Sequence, residues 1–220
     1  MLRGLDEAAR AFGGDELRRL AFRNGDFLFR ELVRDTWGAT RVLRSYRNGT
    51  AKIAGFLEDY AAVALGAVAL YQLTFDRVWL ERARRLAGAI MAKFWDEEAQ
   101  AFFDTASDGE TLVTRPRDVT DNAIPSGSSL AVELLLVLGD LFAEESYTRR
   151  ASYLLATIAE PMARYPTAFG HVLGAADFAV RGAVEVVITG DPAEAAFGAL
   201  ASEVARRYLP SLVLAGGVAA

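Results

Sequence analysis

No cysteine occurs among the 220 residues, which excludes disulfide frameworks, thiol catalysis and thiolate metal sites. Histidine occurs once, as His171, without an H-E-x-x-H pattern, so a tight transition-metal site is not expected. Lysine occurs only at Lys52 and Lys93, and the arginines never run beyond adjacent pairs. With a net charge of −5, that distribution argues against a nucleic-acid surface. No stretch approaches the ~18 uninterrupted apolar residues of a membrane span. Charges at Arg3, Asp6, Glu7 and Arg10 interrupt any signal-peptide core. There is no G-x-S-x-G elbow. Gly174 and Gly182 form no dinucleotide fingerprint, and the Gly190-Asp191-Pro192 turn lacks the glycines of a phosphate loop. A soluble, cytoplasmic protein with no metal, cofactor, nucleic-acid or membrane partner is the expectation.

What is present is helix-forming. Hydrophobic residues make up 52% of the chain, with Ala and Leu leading. The pattern predicts a short amphipathic helix over Leu2–Phe12, ended by Gly13-Gly14. A longer one follows, capped by Asp15 and reaching about Val33. Arg47-Asn48-Gly49-Thr50 reads as a turn, with a short strand before it from Trp37 to Tyr46. Helices follow over about 57–73 and 78–95, then about 126–142, 146–164 and 165–180. Between them, Ala101-Phe102-Phe103 is expected to pair with Leu112-Val113-Thr114 across Ser107-Asp108-Gly109. Val184–Thr189, a helix over 192–208 and Leu212–Leu214 complete a small βαβ-like unit.

An internal repeat supports this division. Leu17, Leu80 and Tyr147 occupy corresponding places in the second helices of three successive hairpins. The links inside each hairpin are short, and those between hairpins are long and polar. Antiparallel helices joined that way put every long link at one end of the assembly. The fold class expected is therefore mainly α. Residues 1–182 form a partial α/α toroid of about three helical hairpins plus one helix, and residues 183–220 form a C-terminal β-α-β tail packed on it.

At the shared end stand FLEDYA (Phe56–Ala61) and RPRDVTDNAIPSGSS (Arg115–Ser129). Carboxylates on opposite walls of a pocket serve as general acid and base when burial drives their pKa values apart. The acid/base candidates are Glu58, Asp59 and Asp121. Tyr60, Arg115, Arg117, Asp118, Asn122, Ser126 and His171 are candidates for substrate contacts. Such a mixture of donors, acceptors and rings suits a sugar-like small molecule. Each residue also has a purely structural use. Carboxylates in a first helical turn are favoured by the helix dipole, Ser126 is an ordinary cap residue, and a lone histidine often bonds within a core.

FLEDYA, FWDEE (Phe94–Glu98), FFDT (Phe102–Thr105), RPRDVTDNAIPSGSS and EVVITGDP (Glu185–Pro192) carry a resemblance, in the same order and across nearly the whole chain. The chain resembles the C-terminal part of the thioredoxin-domain-containing proteins similar to spermatogenesis-associated protein 20. That resemblance implies an (α/α)6 toroid, similar to those of N-acylglucosamine 2-epimerases and six-hairpin glycosidases, with a site at the N-terminal ends of the inner helices. Glu58 stands where the family tends to have Asp, Asn122 where Gly is usual, and Ser128 where Asn is usual. No catalytic residue transfers from the family. The expected function is that of a sugar epimerase or glycosidase relative, or alternatively of a non-catalytic interaction module, half of a larger thioredoxin-linked protein. About half a six-hairpin ring is present, so self-association or a partner chain completing the toroid is expected. Leu2, Leu5, Ala8, Ala9 and Phe12 would then face an open edge.

Overall fold

The computed structural model describes residues 1–36, 39–110 and 113–218. Gly13 and Gly14 take φ of 72° and 97°, a region glycine enters freely. The chain reverses there between α1 (Leu2–Phe12) and α2 (Asp15–Phe27). Gly14 holds the cap position and Asp15 is the first helical residue, not the cap. A π-helical turn, Leu28–Leu32, ends the helix just before Val33.

Where one short strand was expected, there are three. β1 (Val33–Thr36), β2 (Ala39–Arg47) and β3 (Thr50–Ala54) form an antiparallel meander in that order. Asn48 and Gly49 have φ of 52° and 76°, the double positive φ of a tight Asn-Gly hairpin. Trp37, where the expected strand begins, lies outside the described residues.

α3 (Leu57–Thr74) and α4 (Arg77–Lys93) turn at Phe75, in the left-handed region, and at Asp76, which accepts a hydrogen bond from the Val78 N–H at 3.0 Å. α5 (Gly127–Phe142) and α6 (Glu145–Thr157) turn at Ala143, again left-handed. The helix expected to run on to Arg164 breaks at Ile158, and α7 (Ala159–Arg164) restarts. Pro161 explains the break, because its ring and missing N–H are tolerated only in a first turn. After a 3-10 turn at Pro166–Ala168, α8 covers Gly170–Arg181.

α3 packs against α1 on one side and α5 on the other, and α5 also packs against α8, while α2, α4 and α6 pack behind α1, α3 and α5. α3 is the hub because it has almost no polar face: Ala61, Ala64, Leu65, Ala67, Val68, Leu70 and Tyr71 are all buried. A helix apolar all round belongs inside. Leu2 and Ala9 of α1 are buried as well, whereas Phe12 is 85% exposed. Most of α1's apolar stripe is therefore covered rather than open, since Leu2 seats on Gly66 of α3.

At Gly127 the α5 backbone meets the start of α3. A Cβ there would stand 2.9 Å from Glu58 N and 3.0 Å from Leu57 Cβ. This contact is the physical content of the PSG element. Gly127→Ala is expected to cost about 1–3 kcal/mol through overpacking. Gly88→Ala, where nothing lies within 4 Å, should be neutral or gain about 0.5–1 kcal/mol. Denaturant midpoints of the two variants would check the contrast.

Between α4 and α5, β4 (Trp95–Asp96) pairs with β5 (Ala101–Phe102). The expected pairing of 101–103 with 112–114 does not form. Instead Asp96 accepts the N–H groups of Glu98 and Ala99 and Gln100 takes φ of 50°, closing a tighter turn. Val113 is fully exposed, and Leu112 lies outside the described residues. At the C-terminal side, β6 (Val184–Thr189), α9 (Ala195–Ala205) and β7 (Leu212–Gly217) form a parallel β-α-β unit. It has a small core of Phe75, Ile188, Phe197 and Leu214. Tyr71 Oη accepts from Gly216 N at 3.2 Å, and α9 packs on α1. No helix among the described residues is long and apolar enough to cross a membrane.

Candidate functional site

The starts of α3, α5 and α8 lie together. Leu57 N donates to Asp104 O at 2.9 Å, Asp104 N donates to Pro116 O at 2.9 Å, and Asp121 N donates to Ala168 O at 2.8 Å. The long α4–α5 connection thus straps across all three helix starts, as the alternation of short and long links requires.

Beneath that strap opens a cleft of about 600 Å3, lined by Glu58, Asp104, Asp118 and Arg44 with Phe56 and Ile53. Glu58 Oε1 pairs with Arg44 Nη2 at 2.5 Å, and the Arg44 guanidinium lies 4.7 Å over the Phe56 ring. A partly exposed ion pair contributes at most about 1 kcal/mol, so this one orients side chains more than it stabilises. Asp104 accepts from the Asp118 N–H at 3.0 Å. Burial pushes the Asp104 carboxyl up, the Asp118 N–H opposes it, and the charges of Asp118 and Glu58 push further up. Asp118 accepts from both the N–H and the hydroxyl of Thr120. Ile53 takes φ of 64°, which a β-branched residue adopts only when its surroundings enforce it.

Glu58, Asp118 and Ser126 of the sequence candidates therefore share the cleft. Ser126 Oγ is engaged in capping, accepting from Ser129 N at 3.1 Å. The other candidates lie elsewhere. Asp59 reaches back to the Phe56 N–H at 2.8 Å. Burial raises its carboxyl, against the pull of that N–H and of Arg44. Tyr60 is buried, its ring edge-on to Phe94 at 5.0 Å. Arg115 donates to the carbonyls of Lys93 and Thr105, Arg117 pairs with Asp96, and both stack on Phe103. These two arginines bind the β4–β5 turn to the strap. Asn122 is exposed, its N–H donating to Ile124 O.

Asp121 is an anchor within the strap. Its Oδ1 accepts from Ser126 N at 2.9 Å, and its Oδ2 from His171 N and Val172 N at 2.8 and 3.1 Å. Burial alone would raise its carboxyl, but these donors and Ser129 hold it below the usual range. His171 faces a second cavity, where Nε2 meets Glu133 at 2.9 Å.

Asp104, Arg44 and Glu133 were missed. Asp104 follows two aromatics in a segment without periodicity, and only the strap's path brings it to the cleft. Arg44 lies on a strand whose alternation its basic neighbours obscure. Among the described residues no group of three His, Asp or Glu is placed to hold a metal ion.

No family model matches this chain. It is 30% identical over 221 residues to spermatogenesis-associated protein 20 of Rattus norvegicus, covering 97% of this chain and 28% of that protein. The Homo sapiens protein of the same name is 29% identical over 223 residues, and the Mus musculus one 30%, with the same coverage. The chain thus spans a little over a quarter of the length of these relatives.

Proposed function

The chain is homologous over nearly its whole length to spermatogenesis-associated protein 20, and on that premise we propose that the cleft at the helix starts binds a sugar-like molecule and performs acid–base chemistry on it. The observation carrying this reading is that Glu58, Asp104 and Asp118 line one open cleft with Arg44 and the Phe56 ring. Hydroxyl-rich ligands need acceptors, a donor and an apolar face together. Asp104, its carboxyl pushed up by burial, is the general acid. Glu58, oriented by Arg44, is the base. Asp118 positions Asp104 through its backbone N–H. The strained backbone at Ile53 fits a wall fixed for binding rather than for stability.

Hydrolysis and epimerisation assays on a panel of glycosides and N-acylated hexosamines test the reading. Asp104→Asn and Glu58→Gln are each expected to lower turnover by about 10²–10⁴-fold while moving the melting temperature little. Absence of turnover across the panel, or variants as active as the parent, would contradict it. A second reading, an interaction module that self-associates or takes a partner chain, is favoured by β6. Val184 and Val187 are 43% and 67% exposed there, on a strand paired on one side only among the described residues. Sedimentation equilibrium separates that reading, which requires association at micromolar concentration.

A further inference from the structure

The four helices α1, α3, α5 and α8, closed off by Ser211 and Leu212 of the tail, line a second cavity of about 340 Å3. It shares no lining residue with the cleft. Its carboxylates already have partners. Arg3 bonds Glu7 at 2.8 Å and Glu133 at 2.9 Å, His171 bonds Glu133 at 2.9 Å, and Arg181 bonds Asp177 at 2.7 Å. Arg10 is the exception. Its guanidinium donates to the Gln72 side chain at 3.0 Å, and no carboxylate lies within ion-pair distance of it among the described residues.

A guanidinium carries five N–H donors, so Arg10 has several left to offer. The nearest acid along its helix, Glu7, is bonded to Arg3 at 2.8 Å, and Asp6, one residue further back, is fully buried with neither oxygen hydrogen-bonded. Burial also lowers the affinity of the Arg10 guanidinium for its proton, against the pull of Glu7 and Asp6, which marks a cation short of a partner. The rest of the lining is apolar, with Leu65, Val68, Leu136, Val137 and Phe178.

We propose that this cavity binds a small monocarboxylate, its carboxylate held by Arg10 and Gln72 and its body against the apolar wall of α3, α5 and α8. A planar carboxylate fits the guanidinium fork with two parallel bonds. A dianion such as phosphate is disfavoured, because Glu7, Glu133 and Asp177 surround the same space. The size suits a ligand of several carbons. The Arg3–Glu133–His171 chain joins α1, α5 and α8 within the lining of this cavity. This site is independent of the acid–base cleft.

Titration calorimetry of the full chain with butyrate, hexanoate and benzoate, with hexanamide and inorganic phosphate alongside, tests it. Saturable binding of a carboxylate is expected, with none of the amide and none of phosphate. Arg10→Gln should weaken the carboxylate by about 10–100-fold, the range for a lost charged hydrogen-bond pair, and Glu58→Gln should leave it unchanged. Should Arg10→Gln fold poorly, Gly174→Leu gives the second reading. Its new side chain enters open space beside the cavity and should exclude the ligand without disturbing the helix. No carboxylate binding by the parent, equal binding of hexanamide or phosphate, or unchanged binding in the variant read would overturn the proposal.

Discussion

Asp6→Asn is expected to raise the melting temperature by about 5–15 °C at pH 8, on the scale of 2–4 °C per kcal/mol for a chain of this size, and to change it little at pH 4. Asp6 is the one fully buried carboxylate among the described residues, with both oxygens lacking a donor. Burial pushes its carboxyl up to about 7, the neighbouring Glu7 adds to the rise, and Arg10 opposes it. Between about pH 4 and pH 7 the unfolded chain releases this proton while the folded chain keeps it, so stability falls with rising pH across that window. Above it the loss is complete, roughly 2–4 kcal/mol when the shift is converted at ~1.4 kcal/mol per unit and discounted for relaxation. Below pH 4 both states hold the proton, and an amide of the same shape changes nothing. Melting curves of parent and variant across pH 4 to 8 check this, and parallel curves would refute it.

Asp121→Ala is expected to cost about 2–4 kcal/mol, the sum of a lost helix cap and one further charge-assisted bond. One carboxylate holds the Ser126 N–H before α5 and the His171 and Val172 N–H groups at the start of α8. No other acceptor from the strap replaces it. Because its folded carboxyl is held low, this contribution is full above the unfolded value near 4 and fades as pH falls through the folded one. Amide hydrogen exchange should speed up first at Ser126, His171 and Val172. Asp121→Asn, which keeps an acceptor, should lose less. Equal stability of parent and alanine variant would contradict the anchor role.

The contrast between Asp118 and Asp121 shows how far a sequence can be read. The two are three residues apart in one polar loop, yet one lines the cleft and the other serves three backbone N–H groups. A strap crossing helix starts must satisfy the donors it covers, and composition does not say which carboxylate does so. What was legible came from local chemistry. Gly13-Gly14, Asn48-Gly49 and Ser126-Gly127 marked reversals and starts, and the repeat placed the long links at one end. The β1–β3 meander was not legible, because Arg34, Arg41, Arg44 and Arg47 break the apolar alternation of an otherwise strand-like stretch. His171 fell outside the cleft because, although its backbone N–H sits at the shared helix starts, its ring turns to Glu133, well inside α5, and lines the second cavity.

The central claim is that the joined starts of α3, α5 and α8 form a ligand-binding end. Chemical-shift mapping of the 15N-labelled chain against the same sugar panel tests it most directly. The account predicts saturable shifts clustered at the amides of Glu58, Asp104, Asp118 and Gly127, lost in Asp104→Asn. Shifts confined to the β6–β7 tail, or no saturable shifts with any sugar, would contradict it.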